Sequence, residues 1–169
     1  RRVLFRSDNA GVNPIPNRYV TRIVLASADG LTGFVCLGGF SADNILRTAN
    51  GGAAFTDVTG AGASGLPSIP VRGFAVDTVV PTRWFAGTEW GVYHTRNSGA
   101  TWYPMLGGPP AVSVDELVLV PNSRRLLAAT HGRGMWSADL ATPDPDLDGN
   151  GSVGAEDIAL LLSSFGPCA

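Results

Sequence analysis

The sequence predicts an all-β fold of about three four-stranded antiparallel sheets, with a small loop-and-helix module at its C-terminal end. Three observations lead there. Glycine and proline supply 22 and 12 of the 169 residues, which leaves little room for long helices. Hydrophobic residues make up 44% and charged residues only 15%, so the chain has ample material for a core and is not a charged, disordered tail. Short apolar segments also recur at a nearly constant spacing. No run approaches the roughly 18 apolar residues of a membrane helix.

The recurrence is clearest in two stretches. Gly91-Val-Tyr-His-Thr95-Arg-Asn97-Ser-Gly99-Ala-Thr101-Trp102 matches Asn44-Ile-Leu-Arg-Thr48-Ala-Asn50-Gly-Gly52-Ala-Ala-Phe55. A fainter copy, Val3-Leu-Phe-Arg-Ser7-Asp-Asn9-Ala-Gly11, opens the chain. Successive copies lie 41 and 47 residues apart, and Gly134-Met-Trp136 repeats Gly91-Val-Tyr93 after another 43. Such a period, with several short strands per unit, is that of a β-propeller blade.

Each unit divides into strands between turn residues. The first gives strands at 19–26, 33–38, 44–48 and 55–58, and the second at 71–77, 83–88, 91–95 and 102–105. The third gives 114–120, 124–130 and 134–138, one strand short. Three blades are fewer than the roughly four to eight of a closed ring. The remaining blades are therefore expected upstream of Arg1, making residues 1–140 the C-terminal blades of a partial propeller.

The repeated turn has a mechanical reading. A hydroxyl and a short amide two residues apart can both accept backbone N–H bonds in a tight turn. Glycine there supplies a positive φ, and the aromatic that follows buries a ring against the neighbouring sheet. With these residues the pattern resembles the Asp-box, or bacterial neuraminidase repeat, of sialidases, sortilin-type receptors and xyloglucanase-type glycoside hydrolases. Its positions are Ser7, Asn9 and Gly11; Thr48, Asn50 and Gly52; and Thr95, Asn97, Gly99, Thr101 and Trp102. Thr95 and Asn97 stand where Ser and Asp are usual. Phe74-Ala-Val-Asp77 and Leu127–Gly134 look like inner strands of the same blades. The resemblance covers about residues 3–140 and implies a propeller with these turns on its rim, away from the ligand-binding face.

No catalytic assignment follows from the residues. Glycoside hydrolysis needs two facing carboxylates, and Asp77 and Glu89 sit at strand ends where such groups could occur. The simpler reading makes Asp77 a turn cap and Glu89 a solvated side chain. His94 and His131 lack Cys or carboxylate neighbours at metal-ligand spacing. Trp84, Trp90, Trp102 and Trp136 could stack on sugars, but packing between blades is the plainer role, with Trp90 the best candidate for exposure. Cys36 and Cys168 read as a buried small hydrophobe and a terminal thiol, although a bridge between them stays open.

Charge separates the chain into two parts. All twelve basic residues are arginine, and residues 1–143 carry a net +3 against −5 after them. A scattered +3 lacks the clustered basic face of a nucleic-acid binder. An extended linker at 141–145 leads to Asp146-Leu-Asp148-Gly-Asn150-Gly151-Ser152-Val-Gly154-Ala-Glu-Asp157. Asp146, Asp148, Asn150 and Asp157 occupy positions 1, 3, 5 and 12 of a calcium loop, with Gly151 at the sharp turn and Ser152 offering a carbonyl. Ile158, Leu161, Leu162 and Phe165 then recur at helical spacing.

Residues 146–166 resemble one repeat of a dockerin, the module that docks polysaccharide-degrading enzymes on cohesin scaffolds. The resemblance implies bound Ca2+ across the 146–169 module. Dockerins carry two such repeats, and this chain has Ala155 and Glu156 at loop positions 10 and 11, which argues against a cohesin partner. A solitary loop with three carboxylates should bind calcium at about 10⁻⁴–10⁻³ M, an affinity met outside cells. The sequence therefore predicts an extracellular or cell-surface protein associated with polysaccharide binding or breakdown. The competing expectation is a non-catalytic adhesion or sorting protein whose propeller binds a protein. An exposed Trp beside polar groups on the central face would favour sugar, and a flat apolar patch there would favour protein.

Overall fold

A computed structural model describes residues 15–120, 123–140 and 153–163. The first sheet contains β1 (Val20–Leu25), β2 (Gly33–Leu37), β3 (Ile45–Thr48) and β4 (Thr56–Asp57). The second contains β5 (Val71–Val76), β6 (Trp84–Thr88), β7 (Gly91–Thr95) and β8 (Tyr103–Pro104). The third contains β9 (Val114–Val120), β10 (Arg125–Thr130) and β11 (Met135–Asp139). Each is an antiparallel meander in chain order, and the strands fall within two residues of those the repeat predicts. A single helix, α1 (Ala155–Ser163), follows among the described residues.

The first strands of the three sheets lie side by side, β1 next to β5 and β5 next to β9. The sheets therefore fan out from a common line as propeller blades do. Phe74–Asp77 accordingly supplies an innermost strand. Leu127–Thr130 lies one strand further out, in β10.

Blade faces alternate by residue, as the strand pleat requires. Phe34, Cys36 and Ile45 of the first blade pack on Phe74, Trp84, Ala86 and Trp102 of the second. Ala75, Phe85 and Val92 face the other way, onto Val114, Leu117, Leu126 and Ala128 of the third. β2 and β6 are buried along their whole length because each has packed side chains on both faces. The Phe34 ring meets Trp84 edge-on, with centroids 4.7 Å apart, and lies 4.8 Å from Phe74. Near the common line the backbones themselves approach. A Cβ on Gly73 would lie 2.9 Å from the Leu117 nitrogen, and one on Gly87 would lie 2.9 Å from the Val114 oxygen.

One expectation for a single residue changes. Trp136 is 38% exposed, because β11 is the outermost strand of a sheet that has no fourth strand among the described residues. Ile158, Leu161 and Leu162 of α1 are exposed. Trp84 and Trp102 are buried, and Trp90 is exposed. Cys36 is a buried free thiol, its ionisation pushed up by burial. Cys168 lies outside the described residues.

Blades two and three are also joined by charge. Asp77, fully buried at the end of β5, accepts bonds from the Val79 and Val80 backbone at 2.9 and 3.2 Å. Its oxygens also take Arg83 at 2.7 Å and a two-point contact from Arg124 of the next blade at 2.5 and 2.9 Å. Asp77 is thus a turn cap, as the sequence suggests, and an inter-blade anchor besides. Burial opposes its charge, but the bonds from Arg124, the backbone and Arg83 outweigh burial and hold the carboxyl well below the usual carboxylate range.

Replacing Asp77 by Asn should cost about 3 kcal/mol at pH 7, because two guanidinium groups lose their buried partner. A depressed carboxyl stabilises the fold above the unfolded pKa of about 4, and that contribution is lost as pH falls below it. Denaturant melts should therefore show the gap between wild type and Asp77→Asn narrowing from about pH 4 towards pH 2. A gap independent of pH would contradict the anchor.

Candidate functional site

A meander divides each blade into two ends. The start of the first strand and the hairpin between strands two and three share one end. The connections between strands one and two, and between three and four, share the other.

The repeated turns occupy the second end. Thr95 Oγ1 accepts from the backbone of Asn97 and Gly99 at 3.4 and 3.0 Å and donates to Asn97 Oδ1 at 2.9 Å. Asn97 Oδ1 accepts the Thr101 N–H at 2.9 Å, and Asn97 Nδ2 donates to Thr101 Oγ1 at 2.9 Å. The earlier copy repeats the plan: Thr48 Oγ1 takes the Asn50 and Gly52 backbone at 3.3 and 2.9 Å, and Asn50 Oδ1 takes Ala54 at 2.9 Å. Gly99 holds φ +87, and a Cβ there would sit 2.2 Å from the Val58 oxygen. The Trp102 ring donates its N–H to that same carbonyl at 3.1 Å, so the turn is tied to the preceding blade. Ser7, Asn9 and Gly11 lie outside the described residues.

The first end carries a cleft of about 490 Å³, lined by Tyr19, Thr21, Arg22, Arg72, Glu89, Ser113, Asp115 and His131. Its construction repeats from blade to blade. β1, β5 and β9 each carry one extra residue relative to their partner strand, Thr21, Arg72 and Asp115. Such a bulge re-aims the side chain of the extra residue, and here all three line the cleft. Hairpins at the ends of β6 and β10 add Glu89 and His131.

The cleft is a network of paired charges. Arg72 donates to Glu89 Oε1 at 3.0 and 2.7 Å and lies 3.8 Å from Asp115. The bond from Glu89, then the charges of Glu89 and Asp115, raise the ionisation of Arg72 above its ordinary value. Arg22 forms a close ion pair with Glu116 and reaches the Arg72 carbonyl at 3.5 Å. His131 Nδ1 lies 3.3 Å from Asp115 Oδ2, and Ser113 donates to Asp115 Oδ1 at 3.2 Å. Glu89 is therefore held by Arg72 rather than simply solvated. Tyr19 is 78% exposed at the rim, and Trp90, beside Glu89 in its hairpin, is 57% exposed.

The strand-end carboxylates part company. Asp77 is at the end opposite the cleft, and Glu89 is in it. The histidines also part: His94 is buried, its ring 6.5 Å from Tyr103, and His131 is exposed. Sequence reasoning missed the bulge residues. Their signal is a polar residue after valine at the start of each first strand: Val20-Thr21, Val71-Arg72 and Val114-Asp115. Of the calcium-loop positions, Asp146, Asp148, Asn150 and Ser152 lie outside the described residues. Asp157, buried in the first turn of α1, accepts the Gly154 N–H at 2.7 Å. Among the described residues no helix is long and apolar enough to cross a membrane.

Comparison with known proteins bears on the fold. No family model matches the sequence, and no curated protein matches it either. Solved structures do match. The GH74 xyloglucanase from Xanthomonas campestris superposes with a TM-score of 0.54 at 16% identity, over 71% of this chain and 21% of its own. The extracellular domain of BT4673 from B. thetaiotaomicron gives 0.53 at 21% identity, over 78% and 16%. YCF48 bound to a D1 peptide gives 0.51 at 11% identity, over 72% and 36%. The three sheets are β-propeller blades, and this chain spans only a small part of the structures it matches.

Replacing Thr95 by Val keeps the shape and leaves the buried Gly99 N–H without its acceptor, at a cost of about 1–3 kcal/mol. Equilibrium unfolding should register that loss while the cleft at the other end is unchanged. A variant as stable as wild type would show that the turn bonds contribute nothing net.

Proposed function

We propose that this chain forms blades of an extracellular propeller protein that binds polysaccharide through the cleft at the bulged ends of β1, β5 and β9. The observation that carries this reading is the pairing of exposed aromatic rings, Tyr19 and Trp90, with a polar cleft near the axis of the fan. Sugars offer hydroxyl groups at their edges and C–H surfaces on their faces. A polar cleft with Tyr19 in its lining, and Trp90 exposed in the hairpin that carries Glu89, answers both. The likeness in fold to a xyloglucanase and to an extracellular domain supports the same reading. A protein partner would instead want a flat apolar patch, and the cleft is charged. No catalytic step is assigned to its carboxylates.

The repeated Thr-x-Asn-x-Gly turns act, on this reading, as Asp-boxes: structural clasps at the end of the blades away from ligand. The 146–169 module is proposed to bind one Ca2+ through Asp146, Asp148, Asn150, the Ser152 carbonyl and Asp157. The 1, 3, 5, 12 spacing supports it, as does the buried Asp157 carboxylate closing onto the Gly154 N–H. Binding in the 10⁻⁴–10⁻³ M range would fill only outside cells, in accord with an extracellular setting. Cohesin is not the proposed partner, given Ala155 and Glu156.

Titration with xyloglucan oligosaccharides should show saturable binding that Trp90→Ala weakens by at least about tenfold without shifting the melting temperature. Undiminished binding by that variant would place the sugar elsewhere. In calorimetry of the whole chain, Asp148→Ala should abolish calcium uptake while the blades stay folded. An unchanged calcium isotherm would remove the proposed loop.

A further inference from the structure

The cleft holds two arginines, and neither is presented as a bare cation. Arg72 spends two of its donors on Glu89 and lies 3.8 Å from Asp115. Arg22 is paired with Glu116, and the His131 ring is turned towards Asp115 at 3.3 Å. Every cationic or potentially cationic group in the lining is thus matched by a carboxylate. Two of the residues responsible, Arg72 and Asp115, occupy equivalent bulges in neighbouring first strands. The repeat puts a guanidinium in one blade and a carboxylate in the next, at the same height in the cleft.

We propose that Arg72 and Asp115, together with Glu89, set the charge specificity of the cleft, so that it accepts neutral glycans and excludes those bearing carboxylate or sulfate groups. The inference rests on the polysaccharide reading above and adds which class of polysaccharide and which residues choose it. An anionic sugar entering the cleft meets in Arg72 a guanidinium whose charge Glu89 already offsets, with Asp115 3.8 Å away. It then faces the Glu89 and Asp115 carboxylates as like charges. Discrimination of this kind comes from repulsion built against the wrong ligand as well as attraction for the right one. A neutral sugar pays neither cost, since carboxylates and arginines that remain paired still accept and donate hydrogen bonds to hydroxyl groups. The Arg72–Glu89 pair is partly exposed, so the contrast between ligands should weaken in high salt.

The test compares xyloglucan oligosaccharides, which are neutral, with oligogalacturonate, which is anionic, on wild type and on Glu89→Gln/Asp115→Asn. Wild type should bind the neutral probe at least about tenfold more tightly than the anionic one. The double variant, with Arg72 released, should gain oligogalacturonate binding by at least about tenfold, lost again on adding salt. The deciding readout is the ratio of the two affinities: the preference for the neutral probe over the anionic one should fall by at least about tenfold in the double variant, whatever its neutral binding. Should the double variant fold poorly, Asp115→Asn alone, which keeps the Arg72–Glu89 contact, should show the same gain to a smaller extent. Equal binding of both probes by wild type, or no gain in folded variants, overturns the charge inference and leaves the polysaccharide reading intact. Binding of neither probe by folded wild type overturns both.

Discussion

The approach of backbones along the common line of the fan sets the terms for everything further out. Sheets that converge there leave no room for side chains, so Gly73 and Gly87 stand where a Cβ would strike Leu117 and Val114. Ala75 and Ala86 are also small, and both are buried between blades. Larger rings pack between blades as well: Phe34, Phe74 and Trp84 cluster between the first two, with Trp102 in the same core. This is close packing of interdigitating side chains rather than generic burial, and cores of this density tolerate changes of volume poorly. It is also why strands as short as β4 and β8, two residues each, can complete a blade. They need only continue surfaces that inner strands have already fixed.

The same geometry separates structure from chemistry. At one end of the blades, hydroxyl and amide side chains are consumed by the backbone, as at Thr48, Asn50, Thr95 and Asn97. Asp77, with Arg83 and Arg124, locks two blades together at that end too. At the other end, the extra residues Thr21, Arg72 and Asp115 line the cleft together with the hairpin residues Glu89 and His131. Thr48, Thr95 and Asp77 are buried with their hydrogen bonds made. The paired charges of the cleft lie at the opposite end, with Tyr19 in its lining and Trp90 exposed in the Glu89 hairpin.

Much of this was legible in the sequence, because the signals were local and repeated. A turn of Thr-x-Asn-x-Gly followed by an aromatic fixes a hairpin wherever it occurs, and three units at similar spacing fix strand after strand. That the third blade stops one strand short among the described residues was visible in the same way. What escaped the sequence was the product of register. A bulge is one residue gained on one strand against its partner, and nothing in Val71-Arg72-Gly73 taken alone marks Arg72 as extra. Nor does spacing reveal that Arg124 reaches back to Asp77 across a blade boundary, or that β11 leaves Trp136 uncovered. Pairings across 47 residues are set by how blades lean on each other.

The most direct measurement is hydrogen–deuterium exchange of the whole chain with and without saturating xyloglucan oligosaccharide. The account predicts new protection confined to the starts of the first strands, around Val20–Arg22, Val71–Gly73 and Val114–Glu116, and to the Glu89–Trp90 hairpin. The turns at Thr48–Ala54 and Thr95–Trp102 should exchange as before. Protection concentrated at those turns, with none at the bulges, would contradict the placement of the ligand-binding face.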